Sequence, residues 1–551
     1  MVEPDTVTTA DITALSQLRE AVGARFLGYV LACTPDAAEE LLSGTRNLSA
    51  KQLPVVRRMS ATLNLLPADL APDLKTNAIQ YLLVQVEDGR TMAARLRAQV
   101  RDDEAVPVTA EPGLEQHMAA LAFDAYPAFL YPNEETEWPF SDRPNINVSR
   151  IIHQHPQYKQ FLSAILSDPK IGKKFVKTSN ELGHYTHVYS NVGRGGGQQL
   201  AMLPEIIMMN ALRRLKIAAL DPIAFVEAAV DELKLSRTIL GGGQNHGATV
   251  AAKVAFTGIL LPPGATLDFA GAIIREVSEA DRRYAPAALK GKLSGEDAAG
   301  NHATVNYDGD VLMEYNFPYS ARVSSEPIDM TGGWPNDLYP PSEIDAIILH
   351  LRFGLMLAIE RESRAQLVPT WRLYQAPLES ASSLSWYDPR HGVGIMPVAL
   401  TADEFTAWSG WCEKLSAPHV SKIDVALSRI LRAVAERREP SDLLVDSVIA
   451  WENIFGTKEG EPTFRITACL ASLLEDTLEK RLALRTKLSA IYTLRSDVVH
   501  GNRPLKRTEF ATCYEALDIA IRAVKILLSD RSDILQQPDG GRRSAMLLLG
   551  G

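Results

Sequence analysis

The sequence predicts a multidomain α+β protein: an N-terminal helical module, a mixed α/β middle region with antiparallel strands, and a C-terminal all-α bundle. Three observations carry this. A chain of 551 residues exceeds what one hydrophobic core usually organises. Apolar residues recur at helical spacing in the first hundred residues and again after about residue 419. Between them the pattern shifts to short apolar runs closed by glycine and proline, as strands and turns require.

The N-terminal module covers residues 1–106. Leu15, Leu18, Val22, Phe26 and Val30 share one helix face. Thr34-Pro35 is an N-cap followed by proline in the first turn, and that helix stops at Gly44. Another helix runs from Pro54 to Leu65, and one long helix is expected over Leu74–Val100. The spacing loosely resembles a helix-turn-helix, which would make a DNA-binding regulator one reading of this module; a helical docking or dimerisation module is the plainer one. Arg101 to Pro107 reads as a linker.

In the middle region, 107–418, Tyr131–Asn147 is a loop rich in proline, acid and asparagine. Glu205–Leu235 and Ser342–Glu360 read as helices, and Val254–Leu261 as a strand ending in Pro262-Pro263-Gly264. Ala303–Tyr307 and Val311–Tyr315, joined by Asp308-Gly309-Asp310, predict a β-hairpin. His184-x-x-His187, with His153 and His155 upstream, lacks the cysteines or ordered carboxylates that would complete a metal site, so loop histidines are expected. Asn191–Gly197 and Gly241–His246 are glycine-rich without a phosphate-binding fingerprint and read as turns. Trp371, Trp386 and Tyr387, near Arg390 and His391, line a pocket or fill a core.

The C-terminal region, 419–535, reads as five helices: Val425–Glu436, one capped by Ser441 and continuing to Phe455, Thr463–Leu474, Leu478–Val499 and Thr508–Leu528. Gly501-Asn-Arg-Pro504 forces the fourth to stop. Residues 536–551 are expected to be a flexible tail.

Bulk properties bound the function. The net charge is −10, so any nucleic-acid contact needs a local basic patch. The four cysteines are scattered and form no Cys-x-x-Cys, so neither a disulfide framework nor a zinc ribbon is indicated. No basic n-region followed by an apolar h-region opens the chain, and no apolar run is long enough to span a bilayer; a cytoplasmic location without membrane contact is expected.

The chemistry concentrates in Tyr492-Thr-Leu-Arg495-Ser496-Asp497-Val-Val-His500-Gly501. With 11 histidines in 551 residues, about one Arg-x4-His match arises by chance. Arg150 to His155 matches too, but Pro156 cuts it and no long helix leads into it. The C-terminal match ends a long amphipathic helix just before a forced stop. Positions five apart on an unbroken helix point roughly 140° apart. Arg495 and His500 therefore cooperate only if the helix ends there, or if a second copy completes the site.

The five-helix layout, the Arg495–His500 motif, Trp451-Glu452-Asn-Ile-Phe455 and Phe464-Arg465 together resemble the Apea-like branch of HEPN domains over residues 421–535. The resemblance implies a metal-independent endoribonuclease without cofactor, a homodimer through this domain, and a toxin-like role in bacterial anti-phage (abortive-infection) defence. Arg495 and His500 would be the catalytic pair. Many HEPN members carry Asn, Asp or His directly after the arginine; here Ser496 and then Asp497 follow, and either is a candidate for the assisting polar group. The residue types suit the chemistry. Histidine titrates near neutrality and moves protons, and arginine presents a fork of donors to phosphate. A 2′,3′-cyclic phosphate is the expected product. Lys480, Arg481, Arg485, Lys487, Arg503, Lys506 and Arg507 make the surroundings basic, with Arg503, Lys506, Arg507 and Arg465 as candidate substrate contacts. Glu452 is a candidate to orient Arg495, with Tyr492 in support. Residues 1–418 would sense an unknown trigger. The alternative is a non-catalytic HEPN scaffold for dimerisation or partner binding.

Overall fold

The computed structural model describes residues 7–67, 69–101, 113–131, 148–177, 183–215, 221–242, 248–282, 284–297, 299–329, 331–362, 365–378, 383–387, 395–456 and 461–549. The chain is mixed α+β, with several antiparallel sheets and a helical C-terminal region. Among the described residues no helix is long and apolar enough to cross a membrane.

The chain opens with α1 (Thr9–Val30), closed at its start by a reciprocal Thr8–Asp11 capping box. Leu15, Leu18, Val22, Phe26 and Val30 are all buried. Next come α2 (Pro35–Leu42), capped by Thr34, then α3 (Gln52–Asn64) and α4 (Pro72–Val84). The single helix expected over Leu74–Val100 is instead broken by a hairpin, β1 (Val86–Glu87) and β2 (Arg90–Thr91), before α5 (Met92–Val100). The cause is Asp88-Gly89: both residues take positive φ, 53° and 79°, as a tight hairpin turn demands.

There follow α6 (Leu114–Ala125), α7 (Val148–Gln154) and α8 (Pro156–Ser167). These share the first helices' core, with Phe26 stacked on Tyr131 at 4.4 Å and Tyr29 edge-on to Tyr126 at 5.6 Å. The predicted linker and the Tyr131–Asn147 loop lie almost wholly outside the described residues.

A small sheet comes next: β3 (Val176–Lys177), β4 (His184–Ser190) and β5 (Arg194–Gln199). His184 and His187 thus stand on a strand, and part of the glycine run is a strand, because cross-strand pairing absorbs both segments. His153 lies on α7, and His155 caps α8 through its ring. The predicted Glu205–Leu235 helix is two, α9 (Leu203–Arg214) and α10 (Pro222–Gly242).

Then come β6 (Thr249–Thr257), β7 (Ile259–Leu260), β8 (Leu267–Phe269), β9 (Ala272–Glu276), α11 (Glu279–Arg282), β10 (Lys292–Glu296), β11 (His302–Asn306), β12 (Val311–Pro318) and β13 (Ala321–Ser324). After them run α12 (Ser342–Ala358), β14 (Val368–Tyr374), β15 (Ser383–Trp386), β16 (Val398–Ala399) and α13 (Ala402–Leu415). The main sheet has the order β15-β14-β6-β12-β9-β8. The predicted 303–315 hairpin does not form: β11 pairs with β10, and β12 enters the main sheet between β6 and β9. The turn is real but splits the strands. Arg282 binds Asp308 at 2.6 Å, and Asp310 accepts the Asn306 backbone amide at 2.6 Å, turning the chain from one sheet to the other. Trp371 is fully buried; Arg390 and His391 lie outside the described residues.

The C-terminal bundle comprises α14 (Asp424–Ala435), α15 (Pro440–Phe455), α16 (Pro462–Leu474), α17 (Leu478–Val499), α18 (Phe510–Ser529), α19 (Ser532–Leu535) and α20 (Gly540–Leu549). Ser441 does not cap α15, which starts earlier, with Pro440 in its first turn and Glu439 at the cap. The expected flexible tail is overturned by α20. Arg543 donates from Nε to the Ile454 carbonyl (2.7 Å) and from Nη2 to that of Asn453 (2.9 Å), and Ser544 donates to Phe455 (2.6 Å). These are carbonyls that the last turn of α15 leaves unbonded. Gly540 permits the approach, since a Cβ there would sit 2.3 Å from the Gly456 oxygen.

Two large apolar cores result. One runs from Leu15 to Cys412, and the other fills the bundle. Helix α12 serves both: Ile344, Ile347, Leu351 and Leu355 enter the first, Phe353 and Leu357 the second.

Candidate functional site

The site residues sit on α17 and the loop after it. Thr477 caps the helix start, and Leu488, Ile491 and Leu494 anchor it on the bundle. Its end is a Schellman turn: the Asn502 amide donates to the Asp497 carbonyl (2.9 Å) and the Gly501 amide to that of Val498 (3.2 Å). Gly501 has φ +68°, a conformation glycine takes without strain. His500 is therefore the C-cap residue, at the end of the helix.

Arg495 is half-buried and faces α15, where Nη2 lies 3.8 Å from Glu452 Oε2. Its Nε is buried and has no hydrogen-bond partner among the described residues. The Tyr492 hydroxyl donates to the other Glu452 oxygen. Burial, and then the bond to Glu452 and its charge, push the Tyr492 hydroxyl up to about 12, so it stays a donor at neutral pH. The structure thus gathers Arg495, Glu452 and Tyr492. His500 stays outside this group: its ring is exposed and makes no hydrogen bond or ion pair among the described residues. Ser496 is half-buried. Asp497 turns toward the loop, accepting from Asn502 Nδ2 (3.3 Å) and lying 3.5 Å from Arg503 Nε.

The basic stretch is largely occupied. Arg503 makes two 2.9 Å bonds to Glu509, whose other contact is the Lys506 amide at 2.9 Å. Lys480 pairs with Asp476 and Lys487 with Glu515; Arg481 donates to the Glu475 carbonyl, and Arg485 lies 4.4 Å over the Phe464 ring. Arg465 and the exposed Arg507 make no side-chain hydrogen bond or ion pair among the described residues, and Lys506 is exposed. These three remain available to an anion; Arg503 holds the loop instead. Sequence reasoning missed Glu509, although an acid six residues beyond an arginine, across a proline turn, was the available sign. It also missed Arg543, which fixes the turn of α15 that carries Glu452.

The Glu509 carboxyl is held down to about 2, first by the Arg503 bonds and then by the Lys506 amide. A depressed carboxylate stabilises the fold fully above its ordinary value of 4.5 and loses that contribution as pH falls toward about 2. Arg503→Ala should raise the Glu509 titration, followed by carboxyl NMR, part of the way back toward 4.5, the Lys506 amide still holding it down. An unchanged midpoint would show that the loop amides alone set it.

Among the described residues no group of three or more His, Cys, Asp or Glu is arranged to hold a metal ion. No protein-family model, curated protein or solved structure matches this chain.

Proposed function

We propose that the chain is a HEPN-type endoribonuclease that cleaves RNA without a metal and acts as a toxin-like effector in anti-phage defence. One observation supports this most: the Arg-x4-His pair lies where a long helix ends, with Arg495 fixed by a carboxylate and His500 free in solvent. His500 takes the 2′-hydroxyl proton as the 2′-oxygen attacks phosphorus. The 5′-oxygen leaves with a proton from solvent or from His500 of a second copy. Arg495 stabilises the charge on the phosphate oxygens. A homodimer across α16 and α17 would supply that second histidine, and Phe464, Leu478, Leu482 and Val499 there are exposed apolar residues suited to burial. Residues 1–418 would restrain the nuclease until a trigger arrives.

The scaffold reading has an observation on its side too, since the Glu452 contact gives Arg495 a structural role. Purified protein incubated with RNA and excess chelator separates the two. The expected result is chelator-insensitive cleavage leaving 2′,3′-cyclic phosphate ends, with DNA untouched for want of a 2′-hydroxyl. Intact RNA under these conditions, in a chain that also arrests growth when expressed, would overturn the nuclease.

A further inference from the structure

The last turn of α15 is held by three other helices. Its backbone carbonyls go to α20, through Arg543 and Ser544. The Glu452 carboxylate goes to α17, where it accepts from the Tyr492 hydroxyl and lies 3.8 Å from Arg495 Nη2. The next residue, Asn453, reaches α14: its Oδ1 accepts the Ala426 backbone amide at 3.2 Å.

That bond has a physical reason. The first amides of a helix have no partner within it, and a polar side chain at the residue before the helix usually accepts from one of them. In α14 that position is Ile423, which is buried and has no acceptor to offer. Asn453 supplies the acceptor from another helix. A helix capped by its own neighbour is indifferent to α15; one capped by Asn453 is not. Asn453 is also fixed at its carbonyl, which accepts from Arg543 Nη2 at 2.9 Å. A shift at the start of α14 therefore pulls on the turn that carries Glu452.

The start of α14 is also where α12 arrives. His350 Nε2 of α12 lies 3.5 Å from Asp424 Oδ1. The same imidazole meets Phe269 of β8 edge-on at 6.4 Å. Phe353 of α12 shares the bundle core with Ile423 and Ala426. Contacts thus run without a gap from the main sheet through His350, the first turn of α14, Asn453 and Glu452 to Arg495, the kind of contiguous series that carries coupling between distant sites.

We infer, resting on the proposed ribonuclease, that Asn453 is a positioning residue for Arg495, and that the first turn of α14 is where residues 1–418 act on the nuclease. Arg495 has to meet a phosphate, and misplacing such a group by about 1 Å costs about a hundredfold in rate.

The test uses the full chain and two readouts. Asn453→Ala removes the acceptor, whereas Asn453→Asp keeps an oxygen there, with a charge that suits a helix N-terminus. The first readout needs no RNA: it is the NMR signal of the Arg495 Nε–H in arginine-labelled protein, identified by its loss in Arg495→Lys. Asn453→Ala should displace this signal and Asn453→Asp should restore it. The second is single-turnover cleavage. Asn453→Ala should lower the rate at saturating RNA by about ten- to a hundredfold, leave the half-saturating RNA concentration unchanged, and be rescued by Asn453→Asp. His350→Phe keeps a ring against Phe269 but loses the contact with Asp424. It should displace the Arg495 signal by itself and add nothing in the Asn453→Ala background, as sites coupled in series require. Should Asn453→Ala fail to fold, His350→Phe decides, since it leaves every bond of Asn453 in place. An Arg495 signal unmoved by Asn453→Ala makes Asn453 a cap of α14 alone and overturns the inference. One unmoved by His350→Phe overturns the link to residues 1–418. A displaced signal in a chain that cleaves no RNA leaves the linkage standing and overturns the ribonuclease instead.

Discussion

Replacing His500 by alanine is expected to lower RNA cleavage by about a hundred- to ten-thousandfold, the range a positioned proton-transfer group supplies. The fold should be untouched, because the ring is exposed and bonded to nothing among the described residues. Arg495 behaves differently. Arg495→Ala removes the cation facing Glu452, 3.8 Å away, and so costs some stability as well as activity. Arg495→Lys is the informative companion: it keeps the charge against Glu452 but loses the planar fork, so stability should return while cleavage stays low. Single-turnover cleavage read beside thermal melting of the three variants checks this. Wild-type cleavage by a folded His500→Ala chain would leave the scaffold reading in its place.

The second large effect is on stability. Arg543 is 2% exposed and has no carboxylate partner among its hydrogen bonds, so burial draws its pKa below the ordinary arginine value. Two of its donors close the carbonyl end of α15. Arg543→Ala removes both bonds, strands buried carbonyls and leaves a void, for a loss of about 3 kcal/mol. Arg543→Lys, with one compact ammonium in place of the fork, recovers only part of this. Denaturant melts followed by tryptophan emission report it, since Trp451 lies on the affected helix. A midpoint equal to wild type would mean that Ser544 and the apolar side of α20 suffice to dock it. The same variant should lower cleavage, because Glu452 sits on the turn that Arg543 secures.

Where local rules and tertiary packing agree, the sequence was legible. Leu15 to Val30 announced α1, and Gly501 and Pro504 announced the end of α17. The Arg495–His500 spacing stood out because it coincides with that stop. Other elements were hidden for identifiable reasons. Asp88-Gly89 carried a hairpin signal, but the apolar periodicity on both sides read as one helix. Asp308-Gly309-Asp310 correctly marked a turn, yet which strands it joins depends on Arg282, distant in sequence. Gly540 and Gly541 suggested disorder, when Gly540 is there for close approach to Gly456.

The sharing of α12 between the two cores governs how this protein can be divided. Phe353 and Leu357 belong to the bundle's interior although they precede its first helix by some distance in sequence. A fragment cut at residue 419 would leave an apolar socket open to water, so the bundle's true thermodynamic beginning is Ser342. Because one helix has its two sides in different interiors, the free energy that holds it is common property. Disturbance of the first core, by a ligand or by heat, is felt in the second as a loss of support. The part that would listen and the part that would act meet in the same helix, whose side chains are divided between their two interiors.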